Sequence, residues 1–97
     1  MKYKYYYAVG KEKSQGELFE ATIESSRFGS GENKNNLEIL LGFDKAPNKI
    51  LYFDQITQRN ILSDFGVDDF HKLERQKVYA IFNDGDCLGL AREVSKK

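Results

Sequence analysis

Between Gln55 and Phe82 (QITQRNILSDFGVDDFHKLERQKVYAIF) the apolar residues change their period once, and this change restricts the fold more than any other feature. Gln58, Ile61, Leu62 and Phe65 fall at i, i+3, i+4 and i+7, with Ile56 close by, which predicts a helix. Asp54 stands where its side chain can cap the first turn, and Gly66 where a helix can end in a left-handed residue. Val67, Phe70 and Leu73 make a shorter apolar step headed by Asp68 and Asp69. From Lys77 to Phe82 the period drops to two and both faces are apolar, as in a strand covered on both sides. The rest of the chain must therefore supply strands that gather round one helix and one buried strand.

Lys2 to Val9 alternates, with Tyr3, Tyr5, Tyr7 and Val9 on one face and Lys2, Lys4, Tyr6 and Ala8 on the other. Gly10 to Gly16 is a polar turn. Leu18 to Ser26 alternates again, Phe19, Ala21 and Ile23 facing inward and Glu20, Thr22 and Glu24 facing water. Phe28 to Asn36 (FGSGENKNN) has no apolar residue after Phe28 and is expected to form an exposed, flexible loop. Leu37, Ile39, Leu41 and Phe43 share one face of a third strand. Ile50 to Phe53, without a polar position, is expected to be covered on both sides. Asp84-Gly85 marks a hairpin, after which Leu88, Leu90 and Val94 share a face of the last strand, and the SKK end is expected to fray.

With 97 residues there is room for one domain, spanning 1–97. Net charge is zero, so no global field steers a polyanion or a membrane surface. The single Cys87 cannot form an internal disulfide, which fits a reducing compartment. No run is long and apolar enough for a membrane helix, and the charged, tyrosine-rich start lacks the apolar core of a signal peptide. A cytoplasmic protein that starts at Met1 is expected.

Without the first strand, the order is three strands, a helix and a hairpin. Together with the lead-in FGVDDFHKLERQKVYAIF, this resembles the small OB-fold-like proteins of phage recombination and single-stranded-DNA-binding families over Leu18–Val94. The resemblance implies a five- to six-stranded antiparallel OB-like barrel with its helical region between the later strands. A twisted antiparallel sheet with the helix on one face fits the same order.

The residues offer little for catalysis. His71 lies between Phe70 and Lys72 with no serine or cysteine near in sequence, and reads as a surface histidine. Cys87 reads as a structural thiol, and with His71 alone makes no zinc site. Asp84 and Asp86 lack the further ligands of a calcium loop. Glu32-Asn33-Lys34 has the Glu-x-Lys spacing of metal-dependent nucleases but sits in a loop, and the helix lead-in YFDQIT carries no phosphate-binding glycines. No enzymatic activity, metal or cofactor is expected.

Charge is uneven, which favours a binding role. Met1–Lys13 carries net +3, Ser14–Glu32 −3 and Asn60–Arg75 −2. Lys2, Lys4, Tyr6, Lys11 and Lys13 interleave cations with an aromatic ring, the pattern of a platform for single-stranded nucleic acid. Packing of Tyr3, Tyr5 and Tyr7 into the core, with the lysines guarding an edge strand, explains the same pattern. The alternative function is a protein-binding inhibitor or adaptor, such as a phage- or mobile-element-encoded inhibitor of a nucleic-acid enzyme. It would use the acidic helix face of Asp64, Asp68 and Asp69.

Overall fold

The helix forms where the period requires it. In a computed structural model describing residues 2–94, α1 spans Gln55–Phe65. Asp54 accepts a hydrogen bond from the Thr57 amide at 2.8 Å, and Gly66, at φ 70°, turns its amide back to the carbonyls of Leu62 and Ser63. Ile61 is fully buried, Leu62 and Phe65 are partly so, and all three belong to the core that holds Val78, Ala80 and Phe82. A short 3-10 turn at Phe70–Leu73 follows, capped by Asp69 and anchored by the buried Leu73.

Six antiparallel strands surround the helix: β1 (Lys2–Tyr7), β2 (Glu17–Phe28), β3 (Leu37–Gly42), β4 (Lys49–Phe53), β5 (Lys77–Asn83) and β6 (Asp86–Val94). They form one sheet in the order β1-β6-β5-β2-β3-β4. The long β2 serves two neighbours in turn, since Glu17–Thr22 pairs with β5 and Thr22–Phe28 with β3. Between them the β2–β3 register shifts at Ile23/Ser25, an irregularity of the kind that bends a strand. Past this bend the 3-10 segment takes the edge that β5 has left. Ile23 donates to Gln76 O at 3.0 Å and accepts from the Arg75 amide at 2.7 Å, while the buried Ser26 hydroxyl donates to Phe70 O. The sheet curls until the Val9 amide reaches Tyr52 O at 2.7 Å, but β1 and β4 form no ladder and the sheet stays open.

Asp84 and Gly85 adopt φ 52° and 78°, the left-handed pair a two-residue hairpin needs. Below that turn the β5–β6 register shifts at Ile81/Phe82. Leu88 and Leu90 consequently lie in different clusters, correcting the single face expected for them. Leu90 enters the main core, whereas Leu88 joins Ile81 and Ala91 in a second cluster roofed by Tyr3, Tyr7, Leu18 and Tyr79. β5 thus has an apolar neighbour on each face, as its pattern demanded.

Two other expectations are corrected. β4 lies at the sheet edge, which leaves Ile50 53% exposed rather than covered. The loop after β2 is exposed as expected but starts only beyond Phe28, and the Gly29 amide donates to Asn36 O at 3.0 Å across its base. The fraying expected of Ser95–Lys97 falls outside the described residues.

Candidate functional site

The structure engages three of the five basic-platform residues, Lys4, Tyr6 and Lys11, in contacts within the chain. Lys2 is exposed on the edge strand. Lys4 Nζ lies 2.5 Å from Asp64 Oδ2, and Lys11 Nζ lies 2.9 Å from Asp86 Oδ1. Lys13 is exposed and close enough to Asp54 to act on its charge. Tyr6 is only 3% exposed, so its proposed stacking role is corrected. Its ring packs on Phe65 with centroids 6.4 Å apart, and its hydroxyl donates to Asp64 Oδ2 at 2.7 Å. The physical reason is that β1 crosses the C-terminal end of α1, where its lysine-bearing face meets the core and its other face meets the second cluster.

The acidic set is engaged as well. Asp64 is the shared acceptor for Lys4 and Tyr6, which joins the two candidate sites into one structural contact. Asp69 caps the 3-10 turn by accepting from the His71 amide at 2.9 Å. Asp68 is in an exposed pair with Lys72 at 2.8 Å, and Asp69, though it caps the turn, is exposed as well.

The Lys4 hydrogen bond, aided by the Tyr6 hydroxyl, holds the Asp64 carboxyl below its ordinary value, while burial and Asp64 itself push the Tyr6 hydroxyl up. A carboxyl depressed on folding contributes stability above its unfolded pKa, about 3.9, and loses it as pH falls through the lower folded value. The stability gap between wild type and Asp64→Asn is therefore expected to be constant from neutral pH down to about 5 and to close below about 4. Urea unfolding at stepped pH measures it; a gap that persists unchanged at pH 2 would show that the charge of Asp64 is not involved.

Other titratable groups are dispersed. Cys87 is buried, and loss of solvation raises its thiol pKa, the opposite of what a nucleophile needs. His71 Nδ1 lies 3.7 Å from Glu74, in an exposed i,i+3 pair. Among the described residues no three His, Cys, Asp or Glu side chains converge as metal ligands would.

The concave feature that remains is aromatic. Phe82 of β5 stands between Phe19 of β2, at 5.4 Å, and Phe43 just past β3, at 5.7 Å, both edge to face. With Glu20, Asp44, Lys45 and Ala46 they line an open cleft of about 430 Å³. It arises because β3 leaves β2 at Gly42, so among the described residues no strand pairs with the first half of β2 on that edge, and Phe19 stays 47% exposed. Glu20 and Asp44 also line an adjoining cavity of about 500 Å³, which runs past Val78 to Phe65 and Arg92. A cluster of exposed phenyl rings is worth about 0.5–1.5 kcal/mol per ring pair beyond area burial, and gains much more when a partner dries it.

Sequence alternation placed Phe19 and Phe43 on inward faces but could not reveal that the third strand ends before reaching Phe19. No protein-family model, curated protein or solved structure matches this chain.

Proposed function

We propose that the protein is a non-enzymatic binding module, an adaptor or inhibitor, that captures an apolar side chain of another protein in the Phe19–Phe43–Phe82 cleft. The carrying observation is a half-exposed phenyl ring in a concave, aromatic-walled site, while the lysines and carboxylates expected to bind are mostly held by contacts within the chain. The pairing supports an OB-like architecture: β2 contacts both β3 and β5, and β1 is an added strand beside β6. Phe19→Glu changes a half-exposed ring and is expected to cost about 0.5–1.5 kcal/mol of stability through the lost Phe82 contact while leaving the chain folded. It should weaken partner capture about 30-fold, the loss typical of an aromatic anchor. Affinity capture from the native host with wild type and variant side by side tests this; equal recovery of the same proteins would reject the cleft as the site.

A second reading, single-stranded nucleic acid, is favoured by a different observation. Phe28, 53% exposed, packs on Phe70 at 5.0 Å, and Phe70 lies 4.5 Å from His71, which makes a short ladder of rings beside the β2–β3 loop. Lys34 in that loop has no ion-pair partner among the described residues. If a base stacks there, Phe28→Ala reduces oligonucleotide affinity by about 1–3 kcal/mol, and Lys34→Ala lowers the log–log salt slope by about one unit. Fluorescence anisotropy with labelled single-stranded DNA and RNA at low salt decides it. Absence of binding at about tens of micromolar, where even nonspecific association registers at low salt, rules this reading out.

A further inference from the structure

We infer that the cleft takes an extended, basic–apolar segment of the partner protein, added to the sheet as an antiparallel strand along Glu17–Ala21; the inference rests on the cleft being the binding site. Among the described residues, the first half of β2 has a paired strand on one edge only. Its β5 pairing runs unbroken from Glu17 to Thr22, whereas the β3 pairing begins at Thr22. Among the described residues, no other backbone hydrogen bond reaches Glu17–Ala21. Backbone groups of a strand point to alternate edges with period two. Ile23 directs both its bonds to the Gln76 side, so Ala21 and Phe19 direct theirs to β5. Leu18 and Glu20 then direct their amides and carbonyls the other way, into the cleft, as Thr22 does toward Gly42 of β3. A free row of donors and acceptors beside a side-chain pocket is the arrangement by which sheets bind extended peptides.

The side chains on this edge define the occupant. Phe19 packs on Phe82 toward the core, and Leu18 belongs to the outer cluster, so side chains of an added strand alternate the same way. Those beside Phe19 enter the aromatic cleft and must be apolar. Those opposite Glu20 lie on the outer face beside its carboxylate, while Glu17 shares the face of Phe19 and Asp44 stands across the cleft. Glu17, Glu20 and Glu24 of β2 and Asp44 across the cleft have no ion-pair partner among the described residues, and Lys45 is the one cation lining it. Opposite charges across strands attract and like charges repel. The edge therefore excludes a second copy of itself, which would set Glu20 against an equally acidic strand, and admits lysine or arginine.

The experiment is an amide-resolved NMR titration of the whole chain with three blocked pentapeptides. They are acetyl-Lys-Leu-Lys-Leu-Lys-amide, the same peptide N-methylated at its lysine backbone nitrogens, and the analogue with glutamates for lysines. The first is expected to shift the amides of Leu18 and Glu20 downfield and shield them from exchange. The methylated peptide should bind at least about tenfold more weakly, since it cannot make the ladder bonds, and the glutamate analogue weaker by a similar factor. Equal binding of the methylated peptide at the same amides would keep the cleft as a side-chain site but overturn strand addition. Equal binding of the glutamate analogue would overturn the basic preference. Shifts absent from Phe19, Asp44 and Phe82 with all three would reject the cleft itself and this inference with it.

Discussion

Ile61→Ala is expected to lower the free energy of unfolding by about 2–5 kcal/mol, a large part of what a domain of this size has. Ile61 is the one α1 side chain with no exposure, and it is surrounded by the core that Leu51, Phe53, Val78 and Leu90 complete from β4, β5 and β6. Removing three carbons there leaves a cavity that strands on several sides cannot close, because each is pinned by its own ladder. Leu62, half-buried, should lose less. Equilibrium denaturation of both variants tests this; an unchanged midpoint for Ile61→Ala would mean that the helix does not fill the inside of the curled sheet.

The second large effect is expected at Gly89. A methyl group on this residue would overlap the Tyr6 carbonyl oxygen and crowd Tyr7 Cα, and both are backbone atoms that cannot rotate away. Gly89 pairs with Tyr7, so Gly89→Ala has to push β1 off β6. Overpacking of this kind costs about 1–3 kcal/mol, and the upper end is expected because backbone meets backbone. The loss should be local: Tyr6 leaves Phe65 and Asp64, and Lys4 loses its carboxylate. Hydrogen exchange distinguishes this from general destabilisation. Amides of Tyr3–Tyr7 should exchange faster while those of β2 and β3 keep their order; uniform acceleration would show that β1 is not a separable edge element.

The contrast between the cleft and the basic strand follows from how charges are satisfied. Lys4 and Lys11 came from a segment of net +3, and each found a carboxylate far along the chain, Asp64 and Asp86. Among the described residues the carboxylates of β2 found none, because that strand lies next to β5, whose one lysine, Lys77, stands at the far end of the pairing opposite Thr22. An unpaired acidic edge with an aromatic floor is therefore the more informative surface; the net −3 of Ser14–Glu32 marks its charge in the sequence, but not that those carboxylates stay unpaired. Among the described residues no helix is long and apolar enough to cross a membrane.

What the sequence determined by itself was local. The Asp54 cap, the Gly66 stop, the Asp84-Gly85 turn and the two-sided apolar pattern of β5 are each complete within a few residues, so short-range sterics and hydrogen bonding specify them without the rest of the chain. Six strands and one helix were legible for that reason. The tertiary structure decided which face each strand turned inward. Period two gives two faces but does not say which is the core, and register shifts at Ile23/Ser25 and Ile81/Phe82 change the parity partway along. Hence Tyr6 is buried while Tyr5 is exposed, and Leu88 and Leu90 part company. The cleft is of the same origin: Phe19, Phe43 and Phe82 meet only because β3 ends at Gly42 while β2 and β5 continue beyond it, a mismatch in strand length that exists only once the strands are paired.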